Sequence, residues 1–378
     1  MIACWFGTYE RNHSANRLLR GGLQHAGLTV EELQAPLWEE TKAKDARYFA
    51  PASLVRLGLR YAAIVRDLTR RWRARPGAVP LVVVGFGGQL DLLAAYRICR
   101  PRAGLIFAPL VSLTETLVED RHRFAAGSVA ARALTALDRA TFRQADVVLA
   151  DTAAHAAYFV QLGASAARVR VWPLGVEPEF LAELPTVPVI ADRVLFYGRY
   201  VPLHGVDVIV AAAGILGDRA RFRMIGVGPG RAAAEVQARA LGVDLDWCDD
   251  VPLDRLPTEL AAAAVVLGVF SPAGKATMVI PNKVYQAAAA GRPLVTRDGP
   301  ALREVFTPEE HCLAVPPGDP NALAAAIARL LDAPELGRRL GAAARRLVVA
   351  EFDAETQGRR LRRLLAETLP GAGLDGDG

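Results

Sequence analysis

The stretch Val194-Leu-Phe-Tyr-Gly-Arg-Tyr-Val-Pro-Leu-His-Gly-Val-Asp207 decides the reading of this chain. A short apolar strand runs into Gly198, Arg199 follows, and His204 and Gly205 open a helix. Glycine lets a ligand approach the backbone closely. Arginine offers a fixed planar cation, and the start of a helix presents the positive end of its dipole. All three features fall within eight residues, which is what a diphosphate requires of a protein surface.

A second stretch has the same logic: Pro281-Asn-Lys-Val-Tyr-Gln-Ala-Ala-Ala-Ala-Gly-Arg-Pro-Leu-Val-Thr296. Asn282 and Lys283 begin a helix of small residues, Gly291 ends it, and a buried strand follows. A lysine in the first turn opposes the helix dipole unless an anion sits there. Lys283 is therefore a candidate phosphate contact; a surface lysine is the plainer alternative.

Working outward, short aliphatic runs alternate with helical patterns. Strands are expected at 2–6, 28–33, 81–85, 104–108, 146–150 and 169–172 in the first half. The second half repeats the series at 194–197, 222–226, 245–248, 265–269 and 293–296. Continuous apolar strands separated by helices imply parallel sheets covered on both faces. The fold class is thus α/β, with two doubly wound, Rossmann-like units. The stretch 173–192 carries four prolines and reads as the linker between a first domain at 1–175 and a second at 190–350. A last helix is expected at 352–369, joined to the first domain, followed by a Gly/Asp-rich disordered tail.

At 378 residues the chain has room for two cores. Its four cysteines are scattered, without CxxC pairs, so neither a disulfide framework nor a zinc site is expected and a reducing, cytoplasmic setting fits. Residues 1–7 are too short for a signal peptide, and the run 260–270 is too short for a membrane span, reading instead as a helix end entering a strand. Residues 1–180 hold 23 Lys/Arg against 16 Asp/Glu, within a net charge of +5 for the chain. No aromatic-interleaved basic motif accompanies this excess, so nucleic acid is not an expected partner. Between 52 and 75, Leu54, Leu57, Tyr61, Ile64, Val65, Leu68 and Trp72 form an apolar helical stripe among seven arginines. That pattern suits either a peripheral contact with an anionic membrane or a core-packed helix with a solvated face.

Together the two quoted stretches resemble the GT-B-fold, family-4 group of retaining glycosyltransferases. Between them lies Ile225-Gly-Val-Gly-Pro-Gly230, similar to that group's Gly-x-Gly-Pro strand end. Gln144-Ala-Asp-Val-Val-Leu-Ala-Asp151 and Val171-Trp-Pro-Leu-Gly-Val-Glu177 match more loosely. The resemblance implies two Rossmann-like domains facing a cleft, and transfer of a sugar from a nucleoside-diphosphate sugar to an acceptor hydroxyl with retention of configuration. It implies Arg199 and Lys283 as the catalytic cations and Gly198, His204, Gly228, Pro281, Asn282 and Gln286 as donor contacts. No cofactor and no metal are required; the partners are a nucleotide sugar and a sugar, lipid-linked or small-molecule acceptor.

The departures are specific. His204 stands where the group has a lysine, Gln286 where a glutamate grips the donor ribose, and Met278 where a second glutamate is common. These leave open an altered donor preference, an inactive partner subunit, or an epimerase or hydrolase on the same architecture. In the first half, the loop Gly7-Thr-Tyr-Glu-Arg-Asn-His-Ser14 offers Gly7, Arg11 and His13 as cleft candidates. The segment Pro109-Leu-Val-Ser-Leu-Thr-Glu-Thr-Leu-Val-Glu-Asp-Arg121 offers Ser112, Glu115, Asp120 and Arg121 as acceptor contacts. Ala108 occupies the place where relatives carry a His or Asp, so no general base is assigned. His25, His155 and His311 read as surface or packing residues, and His122 as a weaker cleft candidate.

Overall fold

The computed structural model describes residues 1–37, 51–182 and 184–369, with only the backbone of 51–54. The side chain of Leu54 of the apolar stripe and the tail at 370–378 lie outside what is described.

Among the described residues, twelve strands form two six-stranded sheets. The first contains β1 (Ile2–Gly7), β2 (Thr29–Gln34), β3 (Leu81–Val84), β4 (Gly104–Phe107), β5 (Val147–Ala150) and β6 (Val169–Val171), in the order β2-β1-β3-β4-β5-β6. The second contains β7 (Ile190–Tyr197), β8 (Arg221–Ile225), β9 (Asp246–Cys248), β10 (Ala263–Leu267), β11 (Leu294–Arg297) and β12 (Leu313–Val315), in the order β12-β11-β10-β7-β8-β9. Every strand pairing is parallel.

Side-chain alternation explains why both faces must be covered. In β3, Leu81 and Val83 enter one core with Leu19, Leu23 and Trp172. Val82 and Val84 enter another, with Leu92, Phe107 and Phe142. In β7, Val194 and Phe196 face one core while Leu195 and Tyr197 face the other. The run at 260–270 divides as expected, with a helix at Leu256–Ala262 leading directly into β10.

Two details differ from the sequence reading. β7 begins at Ile190, inside the expected linker, because Ile190 already pairs with Ala263 of β10 although the first residues of the strand are exposed. β12 was not anticipated: three residues between a turn and two prolines carry too little periodicity to register. The stretch before β7 also holds a short helix, Pro178–Leu181, whose Phe180 is fully buried.

The helix Pro51–Arg73 is only partly core-packed. Leu68 is fully buried and Ile64, Val65 and Trp72 pack beside it, but Val55 and Leu59 are 64% and 69% exposed. The helix Ala354–Thr368 follows the second sheet yet lies on the first: Leu361 and Leu365 join the core of Leu19 and Leu23, and Trp172 Nε1 donates to the Gln357 carbonyl at 3.2 Å. Asp353 caps this helix by accepting from Thr356 N at 2.7 Å. Leu361→Ala is expected to cost about 2–5 kcal/mol by leaving a cavity in that core, measured as a lowered urea midpoint in circular dichroism; a loss under about 0.5 kcal/mol would contradict this docking of the helix.

Candidate functional site

β7 lies between β8 and β10: the chain builds outward from it to β8 and β9 on one side, then returns to add β10, β11 and β12 on the other. Such a switch point opens a crevice at the carboxyl ends of the strands. Here that crevice begins at Gly198, whose φ of +154° disfavours any side chain. A Cβ at Gly198 would also meet His204 Cε1 at 2.6 Å and Lys283 Nζ at 2.8 Å. The stretch from 198 to 205 and the helix Asn282–Ala289 thus converge on one spot. Gly228, in the loop after β8, sits so close to the Arg199 carbonyl that no Cβ would fit. It supports the loop from behind rather than lining the crevice.

Lys283 is the unusual group. It is 6% exposed, and its Nζ has no hydrogen-bond partner. The ammonium lies 4.1 Å above the Phe196 ring and 5.7 Å from the Tyr197 ring, an arrangement that offsets part of the lost hydration. Burial pushes its pKa well below the usual lysine range. His204 is buried beside it, with Nδ1 unpartnered. Burial first, and the Lys283 charge second, push His204 well below the usual histidine range, so the imidazole is neutral. Arg199 is exposed and makes no ion pair among the described residues.

These groups share a cavity of about 850 Å³ between the two sheets' loops. Its second-half wall includes Gly198, Arg199, His204, Pro281, Asn282, Lys283 and Gln286; the first half contributes Glu10, Asn12, His13, Ser14, Leu110, Val111, Asp151 and Leu174. The Gln286 amide is already engaged. Its Oε1 accepts from Tyr197 OH at 3.0 Å, and its Nε2 donates to Glu177 at 3.0 Å. Glu177, 1% exposed, accepts in turn from Ser14 Oγ at 2.5 Å. A glutamate at 286 would place two carboxylates side by side without water.

The first-half candidates separate. His13 lines the cavity and caps the helix Ser14–His25, accepting from Ala15 N at 3.3 Å. Gly7 packs against the buried Asp91 side chain, and Arg11 pairs with Glu32 at 2.7 Å; neither lines the cavity. Ser112, Glu115 and Asp120 are buried behind the wall, and Arg121 and His122 are exposed away from it. Glu115 accepts from Ser112 N at 3.2 Å and bonds His155 Nε2 at 3.1 Å, so its carboxylate is part of an internal network. The Met278 carbonyl accepts from the Thr152 hydroxyl, joining the two halves.

Two cavity residues, Asp151 and Lys275, went unread in the sequence. Lys275 donates to Thr116 at 3.2 Å and lies 3.8 Å from Glu115 across the cleft. Asp151 ends a strand and precedes His155 by one helical turn, a spacing that signals a side-chain pair. His311 lies in a turn and His25 is exposed, while His155 is fully buried.

Residues 191–333 match the family model for Glycosyl transferases group 1. The chain is 33% identical to D-inositol 3-phosphate glycosyltransferase of Acidothermus cellulolyticus over 211 residues, half of this chain and 46% of that one. It is 26% identical to the amylovoran biosynthesis glycosyltransferase AmsK of Erwinia amylovora over 213 residues, 54% of this chain and 52% of the other. The chain spans about half the length of these curated relatives. Among solved structures, sucrose-phosphate synthase of Thermosynechococcus elongatus superposes with a TM-score of 0.73 at 20% identity, covering 98% of this chain and 99% of that one. HepE of Anabaena, in complex with UDP-glucose, gives 0.69 at 14% identity, covering 97% and 99%. The two six-stranded parallel sheets are therefore those of the GT-B fold, and the match to the group 1 glycosyltransferase model lies in its second unit, at residues 191–333.

Proposed function

We propose that this chain is a glycosyltransferase that moves a sugar from a nucleoside-diphosphate sugar to an acceptor hydroxyl. The observation that carries this reading is the buried Lys283 ammonium, unpartnered and aimed at Gly198, where His204 and a helix start converge. Burial favours loss of its proton in the empty protein, and an anion in the pocket is what would hold the charged form there. A donor pyrophosphate fits the chemistry, and Arg199 beside it supplies a second charge.

In the reaction, the bond between the anomeric carbon and the phosphate oxygen breaks, and its electron pair stays on the phosphate. The acceptor oxygen bonds the anomeric carbon, and the acceptor proton passes to the departing phosphate oxygen. Arg199, Lys283 and the amides at the start of Asn282–Ala289 stabilise the growing phosphate charge more in the transition state than before it. Retention of configuration follows if acceptor and leaving group share one face. Residues 1–175 with the helix 352–369 would form the acceptor domain and 190–350 the donor domain, closing about the linker to exclude water. No helix among the described residues is long and apolar enough to cross a membrane. A peripheral anionic-membrane contact is supported by the exposed Val55 and Leu59 on the arginine-rich helix.

Lys283→Met is expected to weaken nucleoside-diphosphate binding about 100-fold, close to 3 kcal/mol. The same change is expected to raise the stability of the empty protein by about 1 kcal/mol or more, since it replaces a buried amine that has no hydrogen-bond partner. Calorimetric titration and urea unfolding check both arms; unchanged affinity would remove the core of the proposal. Arg199→Ala is expected to weaken binding about 10-fold and to shift stability by less than about 0.5 kcal/mol, because Arg199 is exposed.

Gly198→Ala tests the floor of the pocket. Backbone strain at positive φ costs about 1–3 kcal/mol, and the methyl displaces Lys283 or His204. The expected result is a folded protein with lower Tm and no thermal shift on adding nucleotide sugar; an intact shift would argue against this binding geometry.

A further inference from the structure

Asp151 is a carboxylate of the cavity wall with a chain of paired groups behind it. It follows β5 directly and is 7% exposed, and it faces the same cavity as Arg199 and Lys283 from the first-half side. Its Oδ1 holds His155 Nδ1 at 2.6 Å; its Oδ2 carries no protein hydrogen bond among the described residues. His155, fully buried, bonds Glu115 through its other nitrogen at 3.1 Å, and Glu115 faces Lys275 at 3.8 Å. Burial opposes the imidazolium, but the Asp151 and Glu115 carboxylates outweigh it and push His155 up to about 9. Burial raises Glu115, yet His155 and Lys275 together bring it below the usual carboxylate range. The result is an alternating line of charges, Asp151–His155–Glu115–Lys275, that fixes the Asp151 carboxylate at the wall.

The distribution of cations completes the argument. Among the described residues lining the cavity, the arginines and lysines are Arg199, Lys275 and Lys283, all from the second half. Arg199 and Lys283 are committed to the donor diphosphate under the reading above, and Lys275 is held by Thr116 and Glu115. The first-half wall presents the Asp151 and Glu10 carboxylates, Asn12, Ser14 and His13, with Leu110, Val111 and Leu174. A phosphate placed there would meet the Asp151 carboxylate, its charge offset in part by the His155 imidazolium behind it, with no arginine or lysine to spare. A hydroxyl would find an acceptor with two lone pairs.

We propose that Asp151 is an acceptor-binding residue, and that the acceptor is an uncharged polyhydroxyl compound with no phosphate on the portion that enters the cavity. This inference rests on the glycosyltransferase reading and narrows it. It separates this chain from the relative whose name specifies inositol 3-phosphate as substrate. Asp151 accepts a hydrogen bond from an acceptor hydroxyl and orients the attacking oxygen; the acceptor proton still leaves with the phosphate.

The test pairs unphosphorylated and phosphorylated polyols: myo-inositol with inositol 3-phosphate, glucose with glucose 6-phosphate, and mannose with mannose 6-phosphate. Binding to the full chain is read by saturation-transfer NMR in the presence of UDP, and transfer by mass spectrometry with UDP-sugars. The expected result is that every compound that binds or reacts is unphosphorylated. Asp151→Asn is expected to raise the acceptor KM, or Kd, about 10-fold while changing the UDP affinity less than about 2-fold. A phosphorylated compound bound or used in preference to its partner overturns the inference, as does an Asp151→Asn protein with unchanged acceptor affinity, or a wild-type protein that binds neither member of any pair. Should Asp151→Asn fail to fold, the wild-type preference decides alone. UDP binding is measured separately: its absence overturns the glycosyltransferase reading and this inference with it, whereas intact UDP binding with a phosphorylated acceptor overturns the inference only.

Discussion

A single buried ammonium constrains the architecture around it. Lys283 sits on the Phe196 ring with no counter-charge, and each neighbouring element is shaped by that fact. Gly198 lacks a side chain because Lys283 and His204 fill the space a Cβ would occupy. His204 is neutral because burial and a neighbouring cation both disfavour a second charge. Four small residues, Ala287–Ala290 by number, let the helix carrying Lys283 settle against the sheet, where all are buried. A protein that evolved only for stability would not retain such a cation. Under the proposed function, its presence marks a place for a ligand with negative charge.

The two halves meet through polar contacts near this site rather than through one continuous apolar interface. Gln286 reaches Glu177 and through it Ser14; Lys275 reaches Thr116 and Glu115; the Glu304 carboxylate accepts from Ala153 N and Ala154 N at the start of a first-half helix. Hydrogen-bonded contacts of this kind can be exchanged with water when the halves part, which an apolar seam resists. They also place the donor-side cations and the Asp151 carboxylate on opposite walls of one cavity. Under the proposed function, opposite charge preferences on the two walls would sort an anionic donor from an uncharged acceptor.

Much of this was legible in the residues. Eleven of the twelve strands follow from apolar runs, because parallel strands buried on both faces leave an unbroken signature; β12 is only three residues long and leaves almost none. Gly198, His204 and Lys283 were legible as a set because glycine and helix-start patterns are local. What was not legible depends on contacts distant in sequence. Nothing in the loop before Asp120 shows that Glu115 turns inward to His155, forty residues away. Gln286 looks available until its bonds to Tyr197 and Glu177 are known. Asp151 reads as the end of a strand, and only the opposing wall makes it part of a site.

The most direct measurement is a ¹³C/¹⁵N NMR titration of the lysine side chains with and without UDP. The chain has four lysines, at 42, 44, 275 and 283, so assignment by substitution is straightforward. In the empty protein Lys283 should titrate well below the ordinary lysine range, and UDP should raise it. The signs follow from linkage. Because the empty folded form holds this proton less tightly than the unfolded chain, stability rises with pH up to the ordinary lysine range. Because the bound form holds it more tightly than the empty one, UDP binding takes up a proton, and affinity falls as pH rises through the bound-state value. A Lys283 that titrates as an ordinary exposed lysine, or that ignores saturating UDP, would contradict the account.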